Sequence, residues 1–232
     1  MFIDDRVRNS MDLYKRAGEL IPGKTQLVSR RASQYAEGVS PVYAKHASGS
    51  RFFDVDDNEY IDWNNCVSAI ILGHSDPEVT NAVKTQIDKG SLFTVNSPLE
   101  VELAELLVEQ IPSAEMVRFA KNGSDVTSAA IRLSRMITER KIILTCGYHG
   151  WHEWYIGKTS MNAGIPNEMF INTKTFKYND IKSFEKVFKK NKPNIAAVIL
   201  EPMNMEWPNI KFLKKIRAMC SKNKSILIFD EI

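Results

Sequence analysis

The sequence predicts an α/β protein built on a mostly parallel central sheet flanked by helices. Three observations carry that expectation. From about residue 75 onward, short apolar segments alternate with amphipathic ones. The apolar segments are too short for helices and read as strands buried on both faces. The chain has 232 residues, 44% of them hydrophobic, which is enough for a substantial core.

The elements follow in order. Met11–Leu20, with Leu13, Ala17 and Leu20, reads as an entry helix stopped by Ile21-Pro22-Gly23. Val42–Lys45, Arg51–Phe53 and Glu59–Trp63 read as short strands, the last two joined by an Asp56-Asp57-Asn58 turn. They define a small antiparallel N-terminal segment over 1–72, followed by a large α/β domain over 73–232. Ser75-Asp76-Pro77 is a helix start, with Val79, Val83 and Ile87 expected on the buried face. Pro98–Gln110 is a second helix, with Leu99, Leu103, Leu106 and Leu107 on one side. Strands are then expected at Met116–Ala120, Lys141–Cys146, Ile195–Leu200 and Ser225–Phe229. Helices are expected at Ser124–Ile137, Asp180–Phe188 and Asn209–Cys220, the last turning Ile210, Leu213, Ile216 and Met219 inward.

Composition excludes several classes. The net charge of +3 is too mild to imply nucleic acid. No apolar run approaches the ~20 residues of a membrane span, and the first ten residues lack a signal-peptide pattern. Cys66, Cys146 and Cys220 lack metal-ligand spacing and read as free thiols of a cytoplasmic protein. The chain stops at Asp230-Glu231-Ile232, directly behind an apolar strand. That pattern predicts the N-terminal part of a longer protein, with an edge covered by a partner chain as the alternative.

In open parallel sheets, ligands bind beyond the carboxyl ends of the strands. Behind Met116–Ala120 comes Asn122-Gly123-Ser124, where free N–H groups and a hydroxyl make an anion cradle or a plain helix cap. Behind Lys141–Cys146 comes Gly147-Tyr148-His149-Gly150, an aromatic ring beside an imidazole. Glu201 follows Ile195–Leu200, and Asp230 follows Ser225–Phe229. An acid at such an edge can hold a cationic ring nitrogen. Anion cradle, aromatic plate and acid together suit a flat, phosphorylated, protonated heterocycle, and pyridoxal phosphate (PLP) has those three properties. No G-x-G-x-x-G follows any strand, which disfavours a nucleotide-binding protein.

Several segments carry a family resemblance. Phe53–Asp62 is similar to a "D-x-D-G-x-x-Y-I-D" motif, and Leu72–Val79 to "G-H-x-x-P-x-V". Arg118–Val126 is similar to "R-F-x-N-S-G-T-E-A", Tyr148-His149-Gly150 to "Y-H-G", and Asp230-Glu231-Ile232 to "D-E-V". The chain thus resembles the class III aminotransferases of the PLP-dependent transferase fold type I, most of all the glutamate-1-semialdehyde aminomutase branch. The resemblance implies PLP-dependent amino-group transfer, by transamination or by aminomutase exchange, between small-molecule amino donors and acceptors, in a homodimer of the full-length protein. It implies that Gly123 and Ser124 bind the cofactor phosphate and that Tyr148 stacks on the ring with His149 beside it. Glu201 lies near the cofactor hydroxyl or orders a neighbour, Asp230 holds the pyridinium nitrogen, and Ile232 packs on the other ring face. The family's Schiff-base lysine follows the Asp-Glu-Val segment, so the chain to Ile232 is expected to be inactive alone. A non-catalytic, truncated or degenerate relative that binds PLP or serves as a partner chain is the alternative. Tyr43 stands where the substrate-carboxylate arginine is expected, and Val67 where aminomutases carry an aromatic. Both changes fall on the substrate side, so no substrate is carried over by name.

Overall fold

The computed structural model describes residues 2–232. The chain groups into two compact units, Met1–Glu100 and Val101–Ile232.

In the first unit, helix α1 (Arg8–Leu20) turns Met11, Tyr14 and Ala17 inward. Leu20, at the end of the helix, is 77% exposed and lies off this stripe. Val7, Met11, Tyr14 and Ala32 form a small core, with Val42 and Tyr43 packed against it. The Asp56 carboxylate accepts hydrogen bonds from the N–H groups of Asn9 and Ser10, tying the helix start to a sheet turn. That sheet has the antiparallel order β1 (Ala44–Ser48), β2 (Arg51–Asp54), β3 (Glu59–Ile61). Buried Asp54 organises the β2–β3 turn by accepting from Asp56 N–H, Asn58 N–H and the Tyr60 hydroxyl. A single turn, α2 (Asn65–Ser68), follows with positive φ at all four residues, which makes it left-handed. Helix α3 (Pro77–Lys89) is capped by Asp76, whose carboxylate accepts from Glu78 and Val79 N–H. Val79, Val83 and Ile87 are 49%, 52% and 61% exposed, so the expected buried face is open. Helix α4 (Pro98–Gln110) runs across the boundary between the units, and its Leu99, Leu103 and Leu106 are likewise exposed.

The second unit holds a parallel sheet of order β5 (Thr173–Thr175), β4 (Ile142–Cys146), β6 (Ile195–Leu200), β7 (Ile226–Phe229). Every residue of β6 is fully buried. Alternation along the strands splits the core between two faces. Leu144, Val198 and Leu200 meet Phe184 and Phe188 of α8 (Ile181–Asn191) and Phe212 and Ile216 of α9 (Ile210–Asn223). Ile143, Ala197 and Ile199 meet Ile131 of α5 (Gly123–Thr138) and the Trp154-Tyr155-Ile156 turn of α6 (Glu153–Ile156). A short α7 (Asn167–Phe170) precedes β5. The sheet is therefore covered on both sides, as a parallel sheet requires.

Two further sequence expectations differ from the structure. Met116–Ala120 is not a strand: no neighbouring strand pairs with it among the described residues, and Met116 is 92% exposed. A strand exists only through a hydrogen-bonded neighbour, which local residue preference cannot supply. On α9 the inward stripe is Phe212, Ile216 and Cys220, while Ile210 is exposed.

Candidate functional site

The order of strands places a crevice before the chemistry is considered. From β4 the chain adds β5 on one side, then crosses to add β6 on the other. That reversal is the switch point at which open α/β sheets bind ligands beyond their carboxyl ends. Tyr148 and Glu201 leave the two strands at that point. Asp230 leaves β7 next door, its N–H donating to the Leu200 carbonyl at 3.0 Å.

The deepest pair is His149 and Asp230. Nδ1 of His149 lies 2.7 Å from Oδ2 of Asp230, and both side chains are almost wholly buried. Nε2 donates to the Cys146 carbonyl at 3.1 Å. A carbonyl only accepts, so Nε2 carries a hydrogen, and the carboxylate faces the other ring nitrogen. The imidazole is wedged edge-on against Tyr155, with ring centroids 5.2 Å apart, and lies parallel to Trp154. Asp230 Oδ1 is left with a long contact of 3.3 Å from the Ile232 N–H.

Tyr148 projects from the same loop and is 57% exposed. Its N–H donates to Glu201 Oε2 at 3.2 Å, and the Tyr155 hydroxyl donates to the Gly147 carbonyl at 2.6 Å. Burial, helped by the Glu201 charge, pushes the Tyr155 phenol up to about 12, so it stays a donor at neutral pH. Gly147 has φ +105°, and a Cβ there would come within 2.3 Å of Glu201 Oε2. The positive φ favours glycine, and any side chain there would have to displace the Glu201 carboxylate. Glu201 thus holds the Tyr148 loop.

At the start of α5, the N–H groups of Gly123 and Ser124 have no acceptor within the helix. Asn122 makes no side-chain cap; its amide instead donates to Asp125 at 3.1 Å. The Ser124 hydroxyl accepts from Trp151 N–H at 3.2 Å. Gly150, with φ +93°, presses on Ser124: a Cβ there would lie 2.2 Å from Oγ. Ile232 is 82% exposed and lies beside Gly123. The structure therefore brings Gly123, Ser124, Tyr148, His149, Glu201, Asp230 and Ile232 to one edge of this unit.

Several residues of this edge escaped the sequence reading. Thr127 is buried and donates to the His149 carbonyl at 3.0 Å. Ser128 Oγ lies 2.7 Å from His152 Nδ1 and accepts from Trp154 Nε1 at 3.0 Å. Ser124, Thr127 and Ser128 are spaced i, i+3, i+4, one helix face, and that spacing was the available signal.

The first unit has its own cavity of about 440 Å³, lined by Tyr35, Tyr43, Phe52, Trp63 and Arg30. His74 Nε2 lies 2.8 Å from Asp62 Oδ2 at its wall, and that bond holds the Asp62 carboxyl below the ordinary range. Tyr43 and Arg30 share this cavity, whereas Val67 is 77% exposed.

The family model for class III aminotransferases matches residues 33–232. The chain belongs to this family. It is 39% identical to a glutamate-1-semialdehyde 2,1-aminomutase of Natranaerobius thermophilus, over 98% of this chain and 56% of the relative. It is 34% identical to a 3-aminobutyryl-CoA aminotransferase of Cloacimonas acidaminovorans, over 98% and 56%. Among solved structures, a transaminase with PLP bound superposes with a TM-score of 0.88 at 29% identity, covering 95% of this chain and 54% of that one. An omega-transaminase from Sphaerobacter thermophilus gives 0.85 at 28%, covering 95% and 54%. The chain spans about half the length of the curated relatives it matches. As a class III aminotransferase chain, it carries the strand-end residues described above on its parallel-sheet unit.

Proposed function

We propose that this chain supplies the PLP-holding part of an enzyme that moves amino groups, as an aminotransferase or an aminomutase. The observation that carries the reading is the convergence of a buried carboxylate, an exposed aromatic ring and an uncapped helix start on one sheet edge.

The residues fit the group. Gly123 and Ser124 offer N–H groups and a hydroxyl to a phosphate at a helix N-terminus, where the backbone dipole favours an anion. Asp230 Oδ1 has room to accept from a protonated ring nitrogen, while Oδ2 stays tied to His149. The His149 bond fixes the carboxylate's direction, and burial among Trp154 and Tyr155 excludes water from it. Tyr148 offers a ring face, held in place through Glu201 and Gly147. When bound, PLP supplies an electron-withdrawing ring that stabilises negative charge on the substrate carbon. Asp230 serves that chemistry by keeping the ring nitrogen protonated.

The reading extends to small-molecule amino donors and acceptors and to a homodimer, as the family resemblance implies. Three free thiols support a reducing, cytoplasmic compartment. Among the described residues, no helix is long and apolar enough to cross a membrane.

Equilibrium dialysis of PLP against the full-length enzyme and its Ser124→Ala variant tests the placement of the phosphate. Loss of a hydrogen bond to a charged group, about 1.5–3 kcal/mol, weakens binding roughly 10- to 100-fold. Asp230→Asn should retain PLP but lose most turnover. Unchanged affinity in the first variant, or near-normal rates in the second, sinks the reading.

A further inference from the structure

We propose that His152 is a positioning residue that locks the Gly147–Trp151 loop onto α5 and thereby sets the Ser124 hydroxyl. The inference rests on the reading that the start of α5 receives the PLP phosphate.

His152 occupies the cap position of α6, where its carbonyl accepts from Tyr155 and Ile156 N–H at 3.0 Å each. Its ring makes no capping bond. The ring crosses instead to α5, bringing Nδ1 within 2.7 Å of Ser128 Oγ. Ser128 Oγ already accepts the indole N–H of Trp154, a group that can only donate. The hydroxyl's own hydrogen is then free for His152 Nδ1, which requires the tautomer protonated on Nε2. That nitrogen lies 3.9 Å from Asp125 Oδ1, close enough for electrostatic attraction but not for a hydrogen bond.

Three ties join the loop region to one face of α5. Ser124 accepts from Trp151 N–H, Thr127 donates to the His149 carbonyl, and Ser128 meets the His152 ring. The first ends on the Trp151 backbone, and the second on the backbone of His149, whose buried ring is held by Asp230. The third ends on His152, the cap of α6, which buries Trp154, Tyr155 and Ile156 against the sheet. His152 therefore anchors the Trp151 end of the loop, as buried His149 anchors its start. The loop backbone at Gly150 runs beside Ser124, where an added Cβ would lie 2.2 Å from Oγ, so the position of the loop bears on the hydroxyl. Misplacing a polar group by a fraction of an ångström is enough to weaken a hydrogen bond to an anion.

The experiment titrates the full-length protein with PLP and, separately, with pyridoxal, which lacks the phosphate. His152→Ala should weaken PLP binding about tenfold, leave pyridoxal affinity unchanged, and barely move the melting temperature of the cofactor-free protein. His152→Asn places an amide oxygen near the Nδ1 position and should restore most of the PLP affinity. Equal losses for PLP and pyridoxal would reveal a general packing defect and overturn the proposal. So would an unaffected His152→Ala variant, or an Asn variant no better than Ala. Ser124→Ala run alongside separates the two levels. A weakened Ser124→Ala with an intact His152→Ala overturns only the role of His152. An intact Ser124→Ala overturns the placement of the phosphate itself.

Discussion

Strand β6 and helix α3 have comparable apolar content on their inward-reading positions, yet their fates differ. All six residues of β6 are fully buried, sandwiched between α5 and α6 on one side and α8 and α9 on the other. On α3, Val79, Val83 and Ile87 stand about half exposed within the first unit. The difference teaches that an apolar stripe defines a face but not its cover. In the parallel-sheet unit the chain returns to cover its own sheet, whereas along α3 nothing in the first unit does so.

The sharpest way to break that comparison is a matched pair of truncations. Phe212→Ala removes a fully buried ring and should cost about 3–5 kcal/mol in urea unfolding. Val83→Ala should cost less than about 1 kcal/mol, since it removes a half-exposed side chain and gains helix propensity. A Val83 penalty as large as the Phe212 one would show that the stripe is covered in the working protein.

The first unit should also weaken in acid. Asp62 belongs to the first, and the His74 hydrogen bond lowers its carboxyl below the ordinary value. A carboxyl lowered in the native state contributes stability that is complete above the unfolded pKa, near 4, and fades as pH falls through the native value. Asp62→Asn should lower stability by about 1 kcal/mol at pH 7 and flatten the loss between pH 5 and 3, about the ordinary carboxylate range. Thermal melts of both proteins across that range check the sign; parallel curves would remove the pair from the account.

The smallest effect is chemical rather than energetic. Burial pushes the thiols of Cys146 and Cys220 up to about 11 and about 12, while Cys66 in the first unit is exposed. Mass spectrometry after alkylation of the native protein at about pH 8 should find the label on Cys66 and not on the other two, which stay protonated and shielded. Labelling of Cys146 without denaturant would mean that the carboxyl edge of β4 opens.

Much of the sheet was legible because its strands are continuous apolar runs, such as Ile195–Leu200, whose ends match the structure residue for residue. Helix α4 was bounded equally well by Pro98 and by the end of its leucine spacing. Met116–Ala120 was misread because strand formation depends on a neighbour far away in sequence. At the site, residues behind the strands could be singled out because parallel topology assigns them to one edge. Their mutual bonds were hidden. Nothing local to His149 names Asp230 as its partner, and nothing local to Ser128 names His152.

The His149–Asp230 bond also sets an order of events in time. It joins residues 81 positions apart, across three intervening strands and their helices. Closing so long a loop costs more entropy than forming any local turn, so contacts of this kind form late. Strand β7 must first register on β6, with Phe229 opposite Leu200, before Asp230 can reach the imidazole. On the ribosome the Tyr148 loop emerges well ahead of its acid. Until β7 docks, the imidazole has no carboxylate to meet, and slow docking of this strand would prolong the life of a chain whose sheet is largely built but whose cofactor edge is not.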